Sequence, residues 1–203
     1  MLLSTAYFPP LQWFALAARD MQASVEACER YQKQSYRNRC YILAGDGVQM
    51  LQVPVVHGDS WAIRDVLVDY STPWVIRTER ALDAAYESSA FYEYFRDEVF
   101  AILDSQPERL WDLNMELIGW CLRRLQLPVT LTSTADFALP DTVTDDYRSV
   151  VHPKHPDTVL QDLGLARPYY QVFRDRMGGF TPGLSVLDLI FNEGPDAVDF
   201  LCP

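Results

Sequence analysis

The sequence predicts an α/β (or α+β) protein: a small mixed sheet with an N-terminal strand-helix-strand unit and a β-hairpin, followed by a helical half. Three observations carry this. Up to Asp69 the apolar residues fall in short runs or alternate, the period of strands; from Pro73 to Pro128 they recur three and four apart, the period of helices. Pro9-Pro10 and a helical spacing at Trp13, Phe14, Ala17 and Ala18 separate the first two apolar runs. Gly45-Asp46-Gly47 lies between two strand-like segments, a hairpin signal.

In order, Leu2 to Tyr7 reads as a short buried strand turned by Phe8-Pro9-Pro10, Leu11 to Met21 as a helix, and Ala23 to Cys28 as a second strand. A helix between two strands permits parallel pairing, and ligands of open α/β sheets lie at the carboxyl ends of such strands. That rim would hold Tyr7 to Pro10 and Glu29 to Lys33. Tyr36 to Ala44 and Val48 to Val56 form the hairpin, and Ile63 to Asp69 alternates as a further strand. Thr72 caps a helix beginning at Pro73 and carrying Leu82, Ala85 and Tyr86 on one face. Phe91, Tyr94, Phe95, Val99 and Ile102 mark a second helix. Leu110, Leu113, Leu117, Cys121 and Leu125 mark a third, opened by Pro107 and stopped by Pro128. These stripes read as core. Val129 to Thr134 is a strand, Ala135 to Pro168 a long loop of the functional or mobile kind, and Ser185 to Phe191 a buried helix. Gly194-Pro195 precedes a last short helix.

The 203 residues suit one domain, 1–203, and 49% hydrophobic content supplies a sizeable core. A formal charge of -11 works against nonspecific attraction to nucleic acid or anionic lipid. No two of the four cysteines have metal or redox spacing, so no metal site is expected, and a reducing cytoplasm fits. The apolar start lacks a signal-peptide pattern, and no apolar run reaches the length of a membrane span, so no membrane insertion is expected. Cofactor and oligomeric state are left open.

Against the acidic background, Arg30 to Cys40 contains four cations and no acid. A period of two from Tyr36 places Arg37 and Arg39 on one strand face, two guanidinium forks suited to phosphate or carboxylate. Lys33 adds a charge, Gln34 and Asn38 orient, and Tyr7 and Tyr31 border the same concave pocket in this reading. The alternative is a structural ion-pair cluster, since 28 acids are available as partners. His152 sits in a proline-rich loop as a candidate base. Glu193 ends an apolar helix where the dipole opposes a carboxylate, so it is expected to face Lys33, Arg37 or Arg39. Asp188 is likewise an acid inside an apolar run.

The chain resembles the WbqC-like family over nearly its full length. The likeness lies in Tyr7-Phe8-Pro9-Pro10 with Trp13-Phe14, in Tyr31 to Arg39, in Asp65 to Trp74 and in Leu184 to Pro195. Arg148 to Lys154 and Pro168 to Phe173 resemble a Bacteroidetes-type branch. The resemblance implies a setting in surface-polysaccharide (O-antigen-like) biosynthesis, with transfer of glycine or another acyl or amino group to a sugar as the suggested activity. Many relatives carry Gln-Pro where this chain has Thr5-Ala6, so no role of that Gln transfers here. The expected function is a cytoplasmic transferase with Glu193 and His152 as catalytic groups and Tyr7, Tyr31, Lys33, Gln34, Arg37, Asn38 and Arg39 as ligand-binding groups. The alternative is a noncatalytic module for a phosphate-bearing ligand or a partner enzyme.

Overall fold

The computed structural model describes residues 1–56 and 62–202. The chain opens with β1 (Leu2–Ser4), α1 (Leu11–Asp20) and β2 (Gln22–Glu26), and β1 and β2 pair in parallel with Leu3 opposite Val25. Met21 ends α1 in the left-handed region, φ 52°, so the chain reverses within one residue into β2. Residues 11–18 of α1 are all buried, Gln12 included. Its alanines let it lie close against its neighbours.

A hairpin follows, β3 (Arg39–Ala44) against β4 (Gly47–Gln52), with Cys40 opposite Leu51. It forms its own two-stranded sheet. Residues 63–69, expected as a strand, instead form a 3-10 turn at Ile63–Asp65 and an extended piece. The alternation had a real cause: Val66 and Val68 are buried while Leu67 is exposed. The extended piece is stitched to two other irregular segments, Val68 N–H to Glu108 O and Val56 N–H to Leu67 O, so no ladder develops.

The helical half begins with α2 (Trp74–Tyr86), one residue later than expected, with Pro73 outside the helix. Then come α3 (Tyr92–Asp104) and α4 (Leu110–Arg124). The expected stripes are buried at Leu82, Ala85, Tyr86, Val99, Ile102 and along α4, whereas Tyr94 is 74% exposed and stands outside the core. Next, β5 (Thr130–Ser133) joins β2 in parallel and completes the order β1-β2-β5. The stretch from Ala135 to Pro168 holds one 3-10 turn and the single-turn helix α5 (Val159–Asp162). Part of it runs along the free edge of β1, where Leu2 N–H donates to Asp145 O and Tyr147 N–H to Leu2 O.

The helix α6 (Val186–Glu193) passes through the centre of the core, its first turn capped by the Ser185 hydroxyl accepting from Leu187 N–H. Phe191 meets the rings of Tyr86, Tyr92 and Trp120. At its end Gly194 has φ 56°, and a Cβ there would lie 2.5 Å from the Phe91 ring, so the position requires glycine on both counts. A 3-10 helix over Gly194–Phe200 replaces the expected last α-helix.

Asp188, the acid inside the apolar run, is 1% exposed. Its Oδ2 accepts from Tyr169 OH at 2.8 Å and from Gln171 Nε2 at 2.9 Å. Burial pushes its carboxyl up to about 6, and the Gln171 and Tyr169 hydrogen bonds only partly oppose that. A raised folded-state value means that the protonated form stabilises the fold below the usual carboxyl value of 3.8, and that this contribution is lost as pH rises through about 6. Asp188→Asn keeps an acceptor for both partners and removes the titration. In urea unfolding, the stability of the variant relative to the parent should rise between about pH 4 and pH 7 by on the order of 2–3 kcal/mol. An equal difference at both pH values would refute this account of Asp188.

Candidate functional site

A cavity of about 620 Å³ opens beyond the carboxyl end of β2. Its walls are Cys28, Glu29 and Arg30, directly after the strand; Gln32 and Arg37, from the basic segment; and Phe137, Pro140, Asp146, Arg148, Ser149, His152 and His155, from the long loop. Of the rim inferred from parallel-strand topology, Glu29, Arg30 and Gln32 line the cavity, whereas Tyr7 to Pro10 do not.

Glu26, the last residue of β2, holds the long loop in place. Its carboxylate is fully buried. Oε1 accepts from Cys28 N–H (2.9 Å) and Thr134 Oγ1–H (2.6 Å), and Oε2 from Ala138 N–H (3.0 Å) and Arg148 Nη1–H (3.1 Å). Arg148 spends its other donors on Asp146, at 2.6 to 3.1 Å, and on Ala138 O, at 2.9 Å. Its guanidinium lies 5.1 Å from the Phe137 ring centroid. Hydrogen bonds from Arg148 hold the Asp146 carboxyl below the usual carboxylate range.

The second wall is a separate buried pair. Arg37 grips Glu29 in a two-point contact, Nε to Oε1 at 2.9 Å and Nη2 to Oε2 at 2.5 Å, with Ser4 Oγ accepting from Nη2 at 2.9 Å. Burial raises the Glu29 carboxyl, and the Arg37 charge opposes the rise. Arg30 is exposed and has no ion-pair partner among the described residues. Among the described residues it is the arginine of the cavity that no carboxylate holds.

The histidines stand 5.2 Å apart between ring centroids. His152 Nδ1 lies 3.2 Å from the Lys154 N–H, which can only donate, so this nitrogen accepts and the neutral ring carries its proton on Nε2. His155 Nδ1 lies 2.7 Å from Ser149 O, which can only accept, so this nitrogen donates and the neutral ring keeps its lone pair on Nε2. The two rings are held in opposite tautomers. Neither Nε2 is in a hydrogen bond with another described residue. Burial lowers the value of His152, and the charges of His155, Arg37 and Lys154 lower it further, which keeps the ring neutral at pH 7.

Of the residues expected from sequence, the cavity brings together Arg37 and His152. Tyr7 is fully buried in the core. Asn38 is buried, its Nδ2 donating to Val53 O at 2.9 Å, a bond that anchors the hairpin. Tyr31 and Arg39 are half-buried and Lys33 and Gln34 exposed, and none of the four lines the cavity. The shared arginine face fails because the strand starts only at Arg39, and Arg37 and Asn38 before it are both buried. Glu193 does not meet the basic segment either: its Oε1 accepts from Tyr170 N–H at 2.7 Å, while Glu29 is the carboxylate that faces Arg37. Sequence reading missed Glu29, Arg30, Gln32, Asp146, Arg148 and His155. Glu29 and Arg30 lay within the stretch assigned to the strand rim, but nothing local links Glu26 to Arg148, 122 positions away. Among the described residues no group of three His, Cys, Asp or Glu side chains is placed to hold a metal, and no helix is long and apolar enough to cross a membrane.

Glu26→Gln tests the anchor. All four partners of the carboxylate donate, so the NH₂ of an amide must face a donor, and Arg148 keeps only Asp146 as a carboxylate partner. Breaking a buried pair typically costs about 3–5 kcal/mol. Urea unfolding should show a loss of that order, and limited proteolysis should show faster cleavage within 135–155. Parent-like stability with an uncut loop would mean that Glu26 does not hold it.

The chain matches the model of the WbqC-like protein family over residues 5–170. It is 27% identical over 222 aligned residues to "Uncharacterized protein Rv1507c" of Mycobacterium tuberculosis (strain ATCC 25618 / H37Rv), covering 98% of this chain and 96% of the relative. No solved structure matches.

Proposed function

We propose that this chain, which belongs to the WbqC-like protein family, is a transferase of surface-polysaccharide assembly that takes a phosphate- or carboxylate-bearing sugar donor in the cavity beyond β2. The observation that carries this reading is the histidine pair in opposite tautomers beside a free arginine, in one cavity at the carboxyl end of parallel strands. A donor–acceptor pair of ring nitrogens suits a transfer in which one group gains a proton and another loses one. His155 Nε2 takes the proton of the attacking hydroxyl or amine, and His152 Nε2–H donates to the leaving group. Arg30 meets the anion. Gln32 and Ser149 offer the mixed donors and acceptors that sugar hydroxyls require, and the partly exposed Phe137 ring, backed by Arg148, gives a flat apolar surface for a pyranose or a base. A cytoplasmic setting accords with the four free thiols.

Arg37 and Arg148 have a different part in this scheme. Both are held by carboxylates, so they shape the walls and set the field while Arg30 makes contact. Their saturation favours the second reading, a noncatalytic module that holds the same ligand without turning it over. Arg37→Ala does not separate these readings, because it leaves Glu29 buried without its cation.

Arg30→Gln is the cleaner probe, since the side chain is exposed. Sugar nucleotides screened by thermal unfolding should raise the melting temperature of the parent; at a hundred times Kd the stabilisation is about 2.7 kcal/mol. The response should be lost in Arg30→Gln, and a folded Arg30→Gln protein with an undiminished response would remove the anion role. His155→Gln and His152→Gln should each keep binding and lower turnover by about 10²–10⁴-fold, read by mass spectrometry with aminoacyl and sugar donors. Binding without turnover in the parent would establish the module.

A further inference from the structure

A second cavity, of about 230 Å³, shares no lining residue with the first. Its body is apolar, formed by side chains such as Leu165, Phe180, Leu184 and Phe200. Two charged residues also line it, Asp157 and Arg167, and they do not pair with each other or with any other described residue. Asp157 is half-buried, and its Oδ1 is covered and has no hydrogen-bond partner. Burial raises its carboxyl, with the Leu160 amide at the start of α5 offsetting part of the rise. Arg167, an exposed lining residue, stacks on Phe200 at 4.6 Å and donates from Nη2 to Asp199 O.

Asp157 brings a covered oxygen without a partner to the cavity, and Arg167 brings an exposed guanidinium that no described carboxylate neutralises. A hydrocarbon would fill the body and meet neither. A simple cation would leave Arg167 unmatched, and a simple anion would leave Asp157. We propose that this cavity binds a small zwitterion with an apolar body, of the class of apolar α-amino acids, its ammonium group on Asp157 and its carboxylate on Arg167. The size fits: the cavity is smaller than the roughly 300–1,000 Å³ of sites for drug-sized ligands. Glycine has the charges but no body to bury, so the site selects against it. The apolar area contributes affinity and the two charges fix orientation.

Isothermal titration calorimetry of the full chain tests this with L-leucine and L-phenylalanine as probes. Glycine, 2-phenylethylamine and 3-phenylpropanoate, which lack the body, the carboxylate and the ammonium group in turn, are the controls. Leucine or phenylalanine should bind in the micromolar to millimolar range, and each control should bind weaker by about tenfold or more. Asp157→Asn and Arg167→Gln should each weaken the amino acid by about tenfold, and Arg30→Gln should leave its affinity unchanged. Arg167 is exposed, so its variant serves even if Asp157→Asn disturbs α5. No heat with either amino acid at millimolar concentration would overturn the assignment. So would equal binding of 2-phenylethylamine, or an affinity that follows Arg30 instead of Arg167.

Discussion

A single buried carboxylate decides where the largest stretch of irregular chain lies against the sheet, and with it the cavity beyond β2. Glu26 ends the central strand of the parallel sheet, fully enclosed, and every atom around its oxygens is a donor. An unmatched charge in that position would be very costly. The chain meets the demand by bringing Thr134, Ala138 and Arg148 to it from the stretch after β5. Once Arg148 is drawn in, Asp146 follows, and the backbone around it covers the edge of β1. The cavity is the space left between this loop and the residues just after β2.

The same logic explains the two arginine-acid groups in the walls. Buried ion pairs contribute little net stability compared with apolar packing, because desolvation offsets the attraction. Their effect is on arrangement. Arg37 with Glu29, and Arg148 with Asp146 and Glu26, tie two stretches distant in sequence to the end of β2, beside the apolar anchors Tyr36 and Val151. The result is a cavity bordered by charged side chains in an acidic protein, and among the described residues Arg30 and the two Nε2 atoms stand in its lining without a side-chain partner. This difference between arginines held by carboxylates and one without such a partner among the described residues would be hidden in a mere count of basic residues.

Family membership and site chemistry bear on different questions. Membership of the WbqC-like protein family rests on a match over most of the chain, and the M. tuberculosis relative extends the likeness across nearly its whole length. Neither carries an assigned reaction. The histidine tautomers, the free arginine and the exposed aromatic ring bear on chemistry. The second cavity makes a separate claim, which rests on an apolar body lined by Asp157 and Arg167, neither of them in an ion pair among the described residues.

The sequence by itself determined the elements. The strand-helix-strand opening, the hairpin, the three central helices and the buried α6 all follow from local periodicity and from proline and glycine signals, because each is stabilised by residues a few positions apart. It also determined that a concentrated basic stretch in an acidic chain must find partners, and that His152 lay in a loop worth notice. It could not say which partners. The expected pairing of Glu193 with the basic segment was reasonable from charge alone, yet Glu29, eight residues from Arg37, takes that place, and Glu193 meets the backbone at Tyr170. Strand period misled at Arg37 and Arg39 because it applies only inside a strand, and the strand begins at Arg39. Only the tertiary structure decided that Glu26 and Arg148 meet, that His155 stands beside His152, and that Asp157 and Arg167 share a cavity without pairing. Contacts of this kind are made across many residues of chain by burial and the need to match every enclosed charge, and no local pattern records them.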